Sequence, residues 1–213
     1  YASFVAAAFD KVSRYARSQQ WDLRLLSWAF MFVGERCFEG TRAFSTQGID
    51  KAILNLFRLY AKLGNQEVRF TSSGAKNPLD YTDHNGFGEM PDISGVAALA
   101  GNKALTLLIY NHHDDWDMHA SNEIALTIDN LSFASPQLTL HHYRIDAEHS
   151  NAYREWLCQG KPIYPADGQR AAIKARDGLE LLESPRQVVA EGGKVSLSFS
   201  LPVHGVSLLV LNC

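Results

Sequence analysis

The run LRLLSWAFMF, from Leu23 to Phe32, constrains this chain more than any other stretch. It is almost continuously apolar and is bounded by polar and glycine residues. Such a run suits a strand buried on both faces, as parallel strands are. A parallel strand cannot satisfy its own backbone N–H and C=O groups, so it needs neighbours on both edges. Nothing after residue 64 supplies them. Helical patterns flank the run. In YASFVAAAFDKVSRYA, Phe4, Ala8, Val12 and Tyr15 recur at helical spacing, widened by Val5, Phe9 and Ala16. From Gly48 to Leu63 the stripe is Ile49, Ile53, Leu56, Phe57, Tyr60 and Leu63, with Gly64 as the expected C-terminal cap. Helix, buried strand, loop, helix is a fragment of a β/α pattern. Residue 1 is Tyr rather than Met, and the reading is the torn edge of a larger barrel that lies upstream.

From about residue 66 the texture changes. QEVRFTSS, EIALTIDNL and LTLHHYRI alternate with period two. VAALAG and ALTLLIYN predict a hairpin around Gly101-Asn102. KVSLSFSLP and VSLLVLN predict another strand pair around Val203 to Gly205. Two short helices are expected between them, Asn151 to Leu157 and Ala166 to Ala175. Short strands at regular spacing joined by turns predict a β-sandwich. The expected division is residues 1–65, part of an α/β barrel, and 66–213, an all-β sandwich.

Composition narrows function more than fold. A net charge of −3 argues against a nucleic-acid binder, because phosphate contacts need concentrated Lys and Arg. No apolar run approaches the roughly 20 residues needed to span a bilayer. Cys37, Cys158 and Cys213 form no C-x-x-C pair, which suggests neither a disulfide framework nor a zinc site. Such sparse cysteines fit a reducing cytoplasm; a bacterial periplasm stays open.

Three constellations carry chemistry. Trp28, Phe30, Phe32, Glu35, Arg36 and Phe38 cluster at the end of the apolar run and in the loop after it. In a barrel that end builds the active site. An indole stacks on sugar C–H groups and a carboxylate accepts sugar hydroxyls. The plain alternative is an aromatic strand end packed in a core, with Glu35 solvated. NHHDDWDMH, residues 111–119, holds both kinds of metal ligand but matches no strong spacing, and a solvated strand-end loop is the better reading. In RIDAEHSNAYREW, Asp146, Glu148, His149 and Asn151 suggest acid–base chemistry. Helix capping by Ser150, with Tyr153 and Trp156 packed at i, i+3, is favoured over it.

LLSWAFMF, FSTQGIDKAILNLFRLYAKLG, LLIYNHHDD, RIDAEHSNAYREWLCQGKPIYP, LELLESP and LSFSLPVHGVSLLVL occur in this order along the chain. That ordered set resembles the C-terminal part of family 39 glycoside hydrolases, the β-xylosidase group. The resemblance implies a (β/α)8 TIM barrel followed by an accessory β-sandwich. Residues 1–20 would be the seventh barrel helix, Leu23 to Phe32 the eighth strand and Gly48 to Leu63 the eighth helix.

The resemblance also implies retaining hydrolysis of β-1,4-xylo-oligosaccharides by two glutamates about 5–5.5 Å apart, with no cofactor and no metal. Both glutamates belong upstream, so this chain alone is expected to cleave nothing. Trp28 matches the tryptophan under the reacting sugar, and Trp28–Ala29 is a candidate cis peptide. Glu35 falls near the acidic residues that bond sugar hydroxyls, with Phe30 and Phe38 as further pocket wall. NHHDD itself is expected to be a solvated strand-end loop. HSNAYREW is expected to pack the sandwich on the barrel, and homo-oligomer contacts are left open. No nucleic acid or membrane is implied. The competing reading is a non-catalytic β-sandwich, carbohydrate-binding or structural. The scattered aromatics Phe70, Tyr110, Phe133, Tyr143 and Phe199 read as core rather than as a binding row.

Overall fold

A computed structural model describes residues 1–26, 34–40, 43–77, 88, 90–131, 133 and 135–213. The chain opens on helix α1 (Ala2–Ser18). A short hairpin, β1 (Ser45–Thr46) against β2 (Ile49–Asp50), leads into α2 (Ala52–Tyr60). Strands β3 (Gln66–Val68), β4 (Asp92–Ala100), β5 (Ala104–His112), β6 (Ser121–Ile128) and β7 (Gln137–Ile145) follow. Helices α3 (Ala152–Cys158) and α4 (Asp167–Lys174) interrupt the strands. Then come β8 (Glu180–Leu181), β9 (Arg186–Val189), β10 (Val195–Pro202) and β11 (Val206–Asn212).

A 7-stranded antiparallel sheet runs β3-β4-β5-β11-β7-β8, with β9 also paired to β7. Strands β6 and β10 make a separate antiparallel pair. Leu105, Leu107 and Ile109 of β5 face that pair, meeting Ile128, Val195, Leu197 and Leu201. Leu108 and Tyr110 face the other way, with Val206 and Leu208 beside them. They meet Ala2, Val5 and Ala6 of α1 and Ile53, Leu56 and Leu59 of α2. Each such large apolar side chain contributes roughly 1.5–3 kcal/mol when fully buried. The fold is therefore a mixed α/β structure in three layers, helices on sheet on strand pair. Both faces of β5 and β11 are covered, which explains their nearly unbroken apolar sequences. Strand β6 keeps one face toward solvent and alternates.

The expected hairpin at Gly101-Asn102 forms, with Ala100 opposite Ala104. Other expectations are corrected. Strands β10 and β11 do not pair. The turn at Val203 to Gly205 carries the chain from the outer strand pair into the large sheet, where β11 lies between β5 and β7. The second helix starts at Ala52 rather than Gly48, because FSTQGID makes the β1–β2 hairpin. Its turn residues Gln47 and Gly48 have φ of +47° and +78°, as a type I′ turn requires. Gly64 is not the cap of α2, which ends at Tyr60. It lies against the β4 backbone, where a Cβ would come within 2.2 Å of the Leu99 carbonyl, and its N–H bonds Thr106 Oγ1.

Two more corrections concern α1 and the apolar run. The core face of α1 is Ala2, Val5, Ala6, Ala7 and Ala16, whereas Phe4, Val12 and Tyr15 of the expected stripe are exposed. Leu23 to Leu26 lie in no strand and are exposed, Leu26 at 86%. The rest of the expected eighth strand, residues 27–32, lies outside the described residues.

Candidate functional site

The loop between residues 34 and 48 holds two of the four expected sugar-site residues. Trp28 and Phe30, and with them the Trp28–Ala29 peptide, lie outside the described residues. Glu35 is half-buried. Its carboxylate lies over Gly40, where a Cβ would fall 1.4 Å from Oε1. Lys51, the residue before α2, donates its ammonium to the Gly40 carbonyl at 2.5 Å. Burial draws the Lys51 pKa below its ordinary value, and the charge of Glu35 opposes that shift. A carboxylate and an ammonium thus share one patch. Together they offer acceptors and donors of the kind that hold sugar hydroxyls.

Phe38 is placed differently from the expectation that it faces sugar. Its ring packs on Tyr153 and Trp156 of α3, with centroids 5.3 Å from each. Its backbone has φ of +61°, and its N–H donates to Thr46 Oγ1 at 2.9 Å. Beside it, Cys37 is fully buried among Ile49, Ala152, Trp156 and Ile173. Burial pushes its thiol pKa up, which makes it an inert core residue. The loop is therefore seated on the α3–α4 excursion.

Three ties fix that seat. The Cys37 N–H donates to the Ile163 carbonyl at 3.1 Å. The Gln47 side-chain amide donates to the Glu35 carbonyl at 3.1 Å and to the Ile163 carbonyl at 3.0 Å. Arg170 of α4 donates to the Gln47 carbonyl at 3.3 Å. Sequence reasoning missed Gln47 and Lys51. Neither belongs to a motif, and only the Gln-Gly pair at the turn hinted that residue 47 is special.

The other constellations are structural. The expected solvated loop at 111–119 is corrected: Asn111 and His112 end β5 and are buried with His113, and exposure begins only at Asp114. His112 Nδ1 lies 3.2 Å from Ser3 Oγ, and His113 Nε2 lies 2.7 Å from the Gly88 carbonyl. Asp114 Oδ1 is 3.5 Å from His112 Nε2. Serine, histidine and aspartate in line have the members of a hydrolytic triad, but Ser3 is 0% exposed and no substrate reaches it. Among the described residues no three His, Cys, Asp or Glu side chains gather as a metal site. Asp146 accepts from the backbone N–H groups of Glu148 and His149 and lies 2.9 Å from His149 Nδ1, closing a loop. The cap of α3 is Asn151, whose side chain accepts from the Tyr153 N–H. Ser150 instead donates to the Arg144 carbonyl and accepts from the Glu180 N–H, so the expected capping role is one residue off.

A polar network docks α1 on the sheet. Tyr110 OH lies 2.9 Å from Asp10 Oδ2 and 3.3 Å from Asp92 Oδ2. Lys11 donates to Asp92 at 3.0 Å and Arg14 to Asp10 at 2.5 Å. Burial and the two carboxylates raise the Tyr110 pKa, so its hydroxyl stays protonated as the donor. A cleft of about 480 Å³ opens beside it, lined by Lys11, Arg14, Tyr15, Phe70, Ser72 and Lys76 among others. Its lysine and arginine from α1 are already paired, so the cleft offers no spare charge from that helix.

The chain matches solved structures of carbohydrate-active enzymes. Against the bacterial orthologue of human α-L-iduronidase the TM-score is 0.79 at 15% identity, over 100% of this chain and 38% of that one. Against the GH39 enzyme from Xanthomonas axonopodis pv. citri it is 0.65 at 12% identity, over 84% of this chain and 33% of that one. Against a monomeric β-xylosidase from Caulobacter crescentus CB15 it is 0.61 at 14% identity, over 84% and 34%. The fold is shared with glycoside hydrolases. The chain spans only 33% to 38% of these three structures. No protein-family model and no curated protein matches it. Among the described residues no helix is long and apolar enough to cross a membrane.

Proposed function

We propose that this chain is the C-terminal part of a retaining glycosidase resembling the family 39 β-xylosidases. In this reading residues 1–65 complete a (β/α)8 barrel and residues 66–213 form its accessory sandwich. The substrate is a xylo-oligosaccharide or a related β-glycoside. The two catalytic glutamates lie upstream. Trp28, Phe30 and Glu35 supply one wall of the sugar pocket, while Phe38 seats the loop on α3.

One observation carries the reading. Helix α1 is apolar on two faces. Ala2, Val5 and Ala6 pack on the sheet, while Phe4, Val12 and Tyr15 form a second stripe, each at least 39% exposed, with Phe4 edge-on to His112 and Tyr15 edge-on to Trp21. A surface helix needs one apolar face, and a helix with two sits between two layers. A barrel wall covering the outer stripe accounts for the second face. A free-standing carbohydrate-binding module leaves it bare, and the sandwich aromatics Phe70, Phe133 and Phe199 pack against the inter-sheet core instead of forming a row for sugar.

The test is hydrolysis by the protein that carries this chain. A nitrophenyl β-xyloside is the expected substrate. An α-L-iduronide is assayed beside it, because an iduronidase orthologue is among the structures matched over the whole chain. Turnover of the xyloside with retention at the anomeric carbon supports the reading. Preference for the iduronide changes the sugar but keeps the class. Residues 1–213 alone should turn over neither, and turnover by this chain that is lost in Glu35→Gln would overturn the division of labour.

A further inference from the structure

We infer that Gln47 is a positioning residue for the sugar-facing loop, transmitting the placement of the α3–α4 excursion to Glu35. This rests on the proposed role of Glu35 in binding sugar. Residue 47 is the first turn residue of the β1–β2 hairpin, with φ of +47°. That left-handed conformation is routine for glycine and accessible to asparagine, but disfavoured for a residue with a long side chain. A glutamine there must be held by what its side chain does.

The side chain does one specific thing. Its single amide nitrogen donates to two carbonyls that are far apart in sequence, Glu35 at 3.1 Å and Ile163 at 3.0 Å. The first belongs to the residue whose carboxylate is proposed to meet sugar. The second belongs to the connection between α3 and α4. The Gln47 carbonyl is itself held by Arg170 of α4, and the neighbouring Gly48 carbonyl accepts from Lys174 at 2.5 Å. Gln47 is thus the point where the turn, the loop and the excursion meet. Displacing it frees the Glu35 backbone while leaving the apolar seat of Cys37 and Phe38 in place. The excursion, remote in sequence, then sets how well the pocket holds its sugar.

The closing experiment is steady-state kinetics on a nitrophenyl β-xyloside in the protein that carries this chain. Gln47→Gly is the main variant, because glycine suits the turn and removes only the side chain. Gln47→Asn, which also suits the backbone but is one methylene shorter, guards against a folding defect peculiar to glycine. Either substitution should raise KM about tenfold with kcat changed less than about twofold and the melting temperature unchanged. Combining Gln47→Gly with Glu35→Gln should raise KM little beyond Glu35→Gln alone. A KM that rises in Glu35→Gln but is unmoved in both Gln47 variants overturns the inference and leaves the sugar-binding reading intact. A KM unmoved in Glu35→Gln overturns that reading, and the inference with it. Absence of turnover on the xyloside overturns the inference as well.

Discussion

Glu35 and Gly40 occupy one space: the carboxylate of the first lies where a side chain on the second would be. The atoms in conflict are the far end of a flexible side chain, so Gly40→Ala has a cheap escape. It pushes the carboxylate aside and leaves the backbone alone. Stability should change by less than about 0.5 kcal/mol, as for surface substitutions clear of special features. Sugar affinity in the protein that carries this chain should fall about tenfold, from losing one charge-assisted hydrogen bond. Thermal unfolding and KM measured on the same variant check the two halves. An unchanged KM would remove Glu35 from the sugar site.

The Tyr110 hydroxyl links Asp10 of α1 to Asp92 of β4 and so ties the helix to the sheet beneath it. Tyr110→Phe keeps the ring and its packing but leaves two carboxylates without that donor. The expected loss is about 1–3 kcal/mol. Asp92→Ala removes the fully buried carboxylate that holds Lys11 and the Lys76 N–H. Its expected loss is larger, about 3–5 kcal/mol, because a largely buried ammonium loses its counter-charge. Urea unfolding of the chain ranks the two. Equal losses would mean that the hydroxyl, not the ion pair, anchors the helix.

Much of this fold was legible because residue period reports burial directly. Strand β6 reads as alternation since one face meets solvent, and the β4–β5 hairpin reads from Gly101-Asn102. What the sequence hid was which neighbour each strand takes. Strands β10 and β11 are adjacent in sequence and both apolar, yet they lie in different layers, a choice fixed by long-range packing that no local pattern encodes. Helix α1 misled for a related reason. With two apolar faces, its more aromatic stripe looked like the core, while the alanine-rich face is the one that fits closely on the sheet. In the loop proposed to meet sugar, Glu35 was legible as a carboxylate after an aromatic run. Gln47 and Lys51 were not, since their roles come from carbonyls that only the folded chain gathers.

His142 should make stability depend on pH. It is buried between the layers, against Phe199 and 2.9 Å from Ser207 Oγ. Burial first, then Arg144, Arg186 and His149, lower its pKa to about 4. In the unfolded chain it takes up a proton below about pH 6.5. Between those values the unfolded state binds more protons, so stability is full above about pH 6.5 and is lost as pH falls toward about 4. The loss attributable to this one group is on the order of 3 kcal/mol. His142→Gln retains a hydrogen-bonding side chain but does not titrate. Urea unfolding at about pH 7.5 and pH 4.5 should show a smaller difference in the variant than in the parent sequence by about that amount. An equal difference in both would place the acid sensitivity elsewhere.

The outer stripe of α1 separates a free-standing fold from a barrel edge. Val12 lies in that stripe at 42% exposure, and Lys11 and Arg14 beside it are tied to the sheet by Asp92 and Asp10. Val12→Gln therefore tests the outer face without loosening the inner one. In residues 1–213 alone the substitution should leave stability within about 0.5 kcal/mol, because glutamine is a good helix former and the site meets solvent. In the protein that carries the upstream barrel, the same glutamine would be buried against apolar neighbours without a partner and should cost about 1–3 kcal/mol. Denaturant unfolding of both forms measures the contrast. The contrast, rather than either value, is decisive: a neutral effect in the longer protein means that nothing apolar covers this face, and the barrel reading of residues 1–65 fails.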